Sequence, residues 1–319
     1  MLTITKTFEN RGLIELDLNN IEPGCWFNLI KPTAEELLIV EKATQAPHDF
    51  IQAALDPEES SRLDVEDNHI LTLINVPVNK DALSRAYDTI PLAIINTPDY
   101  IVTVCQEENQ VLNNFRASRY KYFTTFQRTR FLFQILYISA MLFLKDLRQI
   151  TENSDRIEQN LRKSMKNKEL FQLLDLQKGL TYYSVSLRSN RVVAERVLRL
   201  CSNAHNEQII KLREEDEDLL DDVLVEYRQA IEIAQLQTDV LAGMMDAFAS
   251  VIANNLNIVM KFLASVTIVM AIPSLISGLF GMNVPVPWGT HPMGFYFIGL
   301  FTVVVTTIAI IFLWKKKLF

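Results

Sequence analysis

The sequence predicts an α/β cytosolic domain at the N-terminus, long stalk helices after it, and two C-terminal transmembrane α-helices. Three observations predict this. Seven of the 11 prolines lie at or before Pro98, and the next is Pro273. The interval between holds only two glycines, Gly179 and Gly243, and is rich in Leu, Gln, Glu, Arg and Lys, so it reads as long helices. Two uncharged apolar runs, Phe262–Phe280 and Gly294–Trp314, lie near the end of the chain. At about 1.5 Å per helical residue, each reaches across a hydrocarbon core about 30 Å thick.

In chain order, β-branched runs predict strands at Leu2–Phe8, Cys25–Ile30, Ile70–Val76, Thr89–Asn96 and Tyr100–Cys105. Thr33 and Glu36 form a capping box that opens a helix through Gln45, and Asp49–Leu55 reads as a second, shorter helix. The run "FLFQILYISAMLFL", Phe131–Leu144, is too short to span, carries Gln134 and is fenced by Arg128, Arg130 and Lys145. It reads as a buried soluble helix. From Val223 onward, Tyr227, Ala230, Ala234, Leu241, Met245, Phe248, Ile252 and Leu256 mark one face of a helix. No breaker interrupts it before the membrane, so it is expected to run into the first span. Three regions follow: residues 1–125, the α/β domain; 126–261, the helical stalk; and 262–319, the transmembrane part, with an outer loop at 281–293.

Lys261 opens the first span and Lys315, Lys316 and Lys317 close the second, while the loop between them has no Lys or Arg. The positive-inside rule then puts both termini in the cytoplasm of a multi-pass protein of the cell (inner or plasma) membrane. "MLTITKTFEN" does not read as a signal peptide, and the scattered Cys25, Cys105 and Cys201 read as reduced thiols. A net charge of −7 argues against a nucleic-acid partner. No Ser/His/Asp arrangement, phosphate loop or CxxC is recognisable. Cys201 with His205 is a lone pair, and His48, His69 and His205 are too dispersed for zinc. No enzyme, no catalytic residue and no bound organic cofactor are expected.

Two spans alone cannot enclose a water-filled path, so transport would need an oligomer. The first span carries Asn257, Met260, Ala264, Thr267, Ala271, Ser274 and Gly278 at three- and four-residue steps on one side. Small, weakly polar residues in such a stripe fit either a packing seam or a pore lining. Neither span contains a carboxylate, so a pore here would bind a divalent ion with its water shell in place. Asn283 would then ring the outer mouth through its amide oxygen, and Gly281 would allow a sharp turn there.

Gly281-Met282-Asn283 at the end of the first span, the short outer loop, the closing basic run and the long preceding helix resemble the CorA family of magnesium channels over the whole chain. The resemblance implies a homopentameric funnel that passes Mg²⁺, often with Co²⁺ or Ni²⁺. It makes Gly281, Met282 and Asn283 the selectivity filter. It places Gly278, Ser274, Ala271, Thr267, Leu263, Met260 and Asn257 on the pore, all but Leu263 belonging to the stripe. Two departures stand out: Phe280 replaces the usual Tyr before the motif, and Val284–Met293 has no acid, His291 being its only titratable side chain.

The run "REEDEDLLDD" puts Glu214, Asp218, Asp221 and Asp222 on roughly one helix face. By itself a charge run reads as a solvated surface. The resemblance implies instead that Mg²⁺ is a regulatory ion as well as the transported one, bridging acids of neighbouring subunits at Asp222 with Asp218 and Asp221 nearby. The family's partner acid falls near Ala53, which is no acid; Asp49, Asp56 and Asp64 are the substitutes. The expected function is a divalent cation channel passing Mg²⁺ into the cytoplasm down its electrochemical gradient and gated by cytosolic Mg²⁺. The alternatives are a related Zn²⁺ transporter and a non-transporting, membrane-anchored helical scaffold.

Overall fold

The computed structural model of the chain describes residues 1–8, 12–78, 87–116, 123–164, 167–201, 213–284, 286–287 and 291–316. These form two compact units, Met1–Gly243 and Met244–Phe319. In the first, seven strands make one mixed sheet in the order β2-β1-β3-β7-β6-β5-β4. They are β1 (Leu2–Phe8), β2 (Gly12–Glu15), β3 (Trp26–Ile30), β4 (Arg62–Glu66), β5 (His69–Val78), β6 (Asp88–Asn96) and β7 (Ile101–Cys105). Among the described strands only β3 and β7 pair in parallel, Trp26 opposite Ile101 through Ile30 opposite Cys105.

The five predicted strands are present, and two more join them. β4 extends the sheet through a two-residue turn in which Asp67 and Asn68 both have positive φ, 42° and 64°. That backbone matches the right-handed twist of a hairpin, and Asp and Asn tolerate it. The capping box is formed as the sequence requires. Thr33 accepts from the Glu36 amide, Glu36 returns to the Thr33 amide, and α1 (Ala34–Thr44) ends on Gln45 in the left-handed region. The predicted Asp49–Leu55 helix is α2 (His48–Gln52) tightening into a 3₁₀ turn at Ala53–Leu55.

After α3 (Gln110–Arg116) come three long helices: α4 (Arg128–Ser164), α5 (Asn167–Cys201) and α6 (Glu214–Phe280). α7 (Gly294–Lys315) follows. Phe131–Leu144 lies inside α4 and most of its side chains are buried, as expected of a soluble core helix. α5 packs on β5 and carries Asn190, fully buried, whose amide donates to the Asn75 carbonyl at 2.6 Å and accepts from the Asn75 amide at 2.9 Å and from Ser61. This bond pattern fixes the helix to the sheet. Gly179 serves the same packing: a Cβ there would lie 2.8 Å from Cβ of Tyr87, so only glycine fits without displacement.

Candidate ion-conduction site

The helix expected to run from Val223 into the first span is longer than its apolar pattern, 67 residues from Glu214 to Phe280. In the first unit its buried positions are Asp216, Leu220, Val223, Tyr227, Ala230, Ala234 and Leu241, at three- and four-residue steps with one step of seven. Met245 is half-buried and Phe248 buried; Ile252 and Leu256 are exposed. Every residue from Val251 to Ala264 is exposed in the single chain, most of them apolar. An apolar helix surface of that extent calls for a non-aqueous cover.

Two described helices are long and apolar enough to cross a membrane, Asp216–Phe280, which includes the first span, and Gly294–Lys315. In the first span the buried residues are Ser265 and Ile276, three turns apart and so on one line of the helix. At about 100° per residue, Thr267, Ala271, Ser274 and Gly278 fall on the opposite side. All seven positions from Asn257 to Gly278 that the resemblance puts on the pore are exposed, and so is Ala264. Thus the stripe lies in the part of this helix left open within one chain, which also includes the exposed Ile268, Met270, Leu275 and Leu279. On α7 the buried Gly294 and Leu313 and the half-buried Ile298, Thr302, Val305, Thr306 and Ala309 form one covered line, and the rest of its described surface is exposed.

The hydroxyls of the stripe are already oriented. Thr267 Oγ1 donates to the Leu263 carbonyl at 2.8 Å and Ser274 Oγ to the Met270 carbonyl at 3.3 Å. Their protons are therefore spent on the helix, and the remaining lone pairs can only accept. A hydrated cation presents the matching partner, because its water hydrogens point outward. Pro273 lies within the helix, so the Val269 carbonyl one turn earlier receives no backbone N–H from it. In a span, such a freed group is re-satisfied by neighbouring helices, side chains or water.

Phe280 is the last helical residue, and Gly281, Met282 and Asn283 follow in an exposed bend. Here one expectation is corrected. Positive-φ glycines among the described residues are Gly12 and Gly24, and Gly281 is not one of them. Its N–H still donates to the Ser277 carbonyl at 2.9 Å, so it prolongs the helical ladder by one bond instead of reversing the chain. What constrains the position is closeness: a Cβ on Gly281 would sit 3.1 Å from the Ser277 oxygen. In the outer loop, His291 Nδ1 accepts from the Met293 amide at 3.2 Å, which ties that imidazole to the start of α7.

The acidic run divides in two. Asp216 is buried and pairs with Arg130 Nη1 of α4 at 3.1 Å, so it belongs to the core. Its spacing to Leu220, Val223 and Tyr227 carries that signal, hidden in the sequence by the acids around it. Asp218, Asp221 and Asp222 are exposed and make no ion pair among the described residues. The phenol of Tyr137 on α4 is pushed up by burial and then by the charges of Glu226 and Asp222. Of the proposed partners, Ala53 is buried, Asp64 binds Arg62 at 2.6 Å, Asp56 accepts from the Glu58 amide, and Asp49 is exposed in the first turn of α2. Among the described residues no three His, Cys, Asp or Glu side chains gather as a metal site would require. His48 is bound to Glu41 and Gln52, His69 to the Asp67 carbonyl, and His205 lies outside the described residues.

Comparison with known proteins adds the decisive observation: the model of the CorA-like Mg²⁺ transporter family matches residues 22–317. The chain belongs to the CorA-like Mg²⁺ transporter family. That CorA family consists of oligomeric, membrane-embedded ion transporters, not enzymes. The cobalt/magnesium transport protein CorA of Methanocaldococcus jannaschii is 23% identical over 317 residues, 97% of this chain and 96% of that protein. The complete structure of that CorA magnesium transporter superposes with a TM-score of 0.83, covering 98% of this chain and 96% of the other. It has the same α/β domain, long helices and C-terminal apolar pair. The full-length CmaX protein, 14% identical, matches with a TM-score of 0.68 over 97% of this chain and 96% of its own. The cytoplasmic domain of ZntB from Vibrio parahaemolyticus, 11% identical, matches with 0.61 over 80% and 97%.

Proposed function

We propose that the protein is a divalent cation channel that passes Mg²⁺, with Co²⁺ or Ni²⁺ as further cargo, into the cytoplasm. The observation that carries this reading is the open stripe. Six exposed positions, Met260, Leu263, Thr267, Ala271, Ser274 and Gly278, lie opposite the helix's buried line, with exposed Asn257 at its side, and lead to the exposed Gly281-Met282-Asn283. Five copies around one axis would turn the stripe into a pore and Asn283 into a ring of amide oxygens at its outer mouth. The stripe's acceptor-only hydroxyls suit an ion that keeps its first water shell, since Mg²⁺ dehydrates reluctantly. Leu263 and Met260 supply the apolar constriction. Both termini are cytoplasmic; residues 1–125 and 126–261 serve as sensing domain and stalk, and residues 262–319 as pore. A membrane potential of about 100 mV supplies about 2.3 kcal/mol per charge, twice that for a divalent ion, so no coupling ion is needed.

Gating by cytosolic Mg²⁺ is part of the proposal. Asp218, Asp221 and Asp222 are exposed, and make no ion pair among the described residues, on the same helix that carries the proposed pore stripe. Like charges brought together around an axis repel, and bound Mg²⁺ offsets that repulsion and holds the helices close. In this reading the ligands are shared between copies. Metal-selective flux into liposomes tests the function: Mg²⁺ uptake driven by an inside-negative potential is expected. Flux of Zn²⁺ alone would replace this reading with a zinc transporter, and no flux of any metal with a membrane-anchored scaffold.

A further inference from the structure

Between Lys261 and Lys315 the sequence holds no Asp, Glu, Lys, Arg or Cys; its titratable side chains there are His291 and Tyr296. Phenols ionise well above neutrality, whereas histidine is the side chain that ordinarily takes up a proton between about pH 8 and pH 5. Across both spans and the loop that joins them, His291 is thus the one side chain suited to change charge near neutral pH.

Its place gives that change a consequence. His291 lies where the outer loop meets α7. Its Nδ1 accepts from the Met293 amide at 3.2 Å and its carbonyl from the Gly294 amide at 2.9 Å. The ring centroid lies 6.2 Å from that of Phe297, one turn into the helix. The first amides of a helix have no partner within it, so the imidazole caps α7. A nitrogen that accepts this bond carries no proton, and the neutral ring then keeps its proton on Nε2. Neither nitrogen has a lone pair free for a metal ion. What remains open to the ring is protonation. The elements around it (the loop, the end of α6 at Phe280 and the first turn of α7) bring no charged side chain to hold an imidazolium or to compete with it.

We propose that His291 is a proton sensor on the outer side of the membrane, and that its protonation lowers Mg²⁺ flux. A protonated Nδ1 is a donor, so two N–H groups then face each other where Nδ1 and the Met293 amide now share one proton. The new charge also meets the positive end of the α7 dipole. Both effects drive the ring off the start of α7. Each copy then adds one positive charge to the loop that follows Asn283, and a mouth of like charge is depleted of cations. No acid in Val284–Met293 offsets it. The sign is fixed: flux is full on the alkaline side and falls as the outer pH drops through the histidine range. The sensor rests on the channel reading given above.

The test uses right-side-out membrane vesicles bearing the full-length chain, from cells without other Mg²⁺ uptake, with the potential clamped by potassium and valinomycin. Mg²⁺ uptake is followed while the outer pH is lowered from about 8 to about 5.5 at constant inner pH. Wild-type uptake is expected to fall about fivefold. His291→Gln and His291→Asn, whose amide oxygens still accept a hydrogen bond but take up no proton in this range, should hold their uptake constant. His291→Lys, charged throughout, should be slow at both ends. Wild-type uptake that ignores outer pH, amide variants that lose as much as wild type, or His291→Lys as fast as wild type at about pH 8 would each overturn the proposal. Absence of wild-type uptake at about pH 8 is a different outcome: it sinks the channel reading, and the sensor with it.

Discussion

None of the side chains proposed for the filter and pore is charged, and Asn257, Thr267, Ser274 and Asn283 among them bear oxygen. Thr267 and Ser274 bind their own helix through their protons and keep only acceptor lone pairs outward. Asn283 stands exposed beyond the helix end. A hydrogen bond to a charged or strongly polarised partner contributes about 1.5–3 kcal/mol, so Asn283→Ala is expected to lower Mg²⁺ flux by about tenfold or more with assembly intact. Normal flux in a correctly assembled variant removes Asn283 from the filter. Gly281→Ala should act more mildly than a positive-φ glycine would, because only the 3.1 Å approach to Ser277 resists it. Charge at the acidic run separates by burial. Asp216→Asn strips Arg130 of its buried carboxylate and should cost about 1–3 kcal/mol of stability. Asp222→Asn should leave thermal unfolding within about 0.5 kcal/mol of wild type. Equal effects of the two would mean the burial difference is immaterial. Burial also pushes the Cys201 thiol up to about 12 from its ordinary 9.0. The thiol therefore stays protonated at pH 8, and alkylation of Cys201 there should be far slower than that of a free cysteine.

At the level of elements, helix boundaries and strand count were only partly legible. The Thr33 capping box fixes the start of α1 because two local hydrogen bonds decide it. β4 was hidden because "RLDVE" alternates weakly, although its Asp67-Asn68 turn carries the hairpin signal. Gly179 was readable only as a rare glycine in a helical stretch; its reason, the close approach to Tyr87, lies in tertiary packing. Gly179→Ala should accordingly destabilise the unit Met1–Gly243 by about 1–3 kcal/mol, and an unchanged melting temperature would contradict the packing. The positions proposed for the pore stand out in the sequence because small residues recur there along a simple helical period. The acidic run was less so: the sequence shows seven acids, and only burial tells Asp216 from Asp218, Asp221 and Asp222. If those three form the sensor on α6, replacing them together with Asn should shift the half-inhibiting cytosolic Mg²⁺ concentration upward while metal preference stays the same. An inhibition curve superimposable on wild type would reduce the run to a solvated surface.

Taken whole, the molecule leaves open what a single chain cannot use. Its first span exposes a stripe opposite its buried line, and α6 exposes apolar surface from Val251 to Ala264. Each of these faces acquires a role once several copies surround an axis. The assembly itself is not readable from one sequence, because a packing seam and a pore lining share the same small residues; the burial of Ser265 and Ile276 on the far side is what separates the two faces. The most direct measurement is therefore thiol block of Mg²⁺ flux by a charged methanethiosulfonate reagent in single-cysteine channels, at Thr267 and Ala271 on the stripe and at Ile276 on the opposite line. Rapid loss of flux at Thr267→Cys and Ala271→Cys with none at Ile276→Cys is the predicted result; block at Ile276→Cys with the two stripe positions insensitive would contradict it.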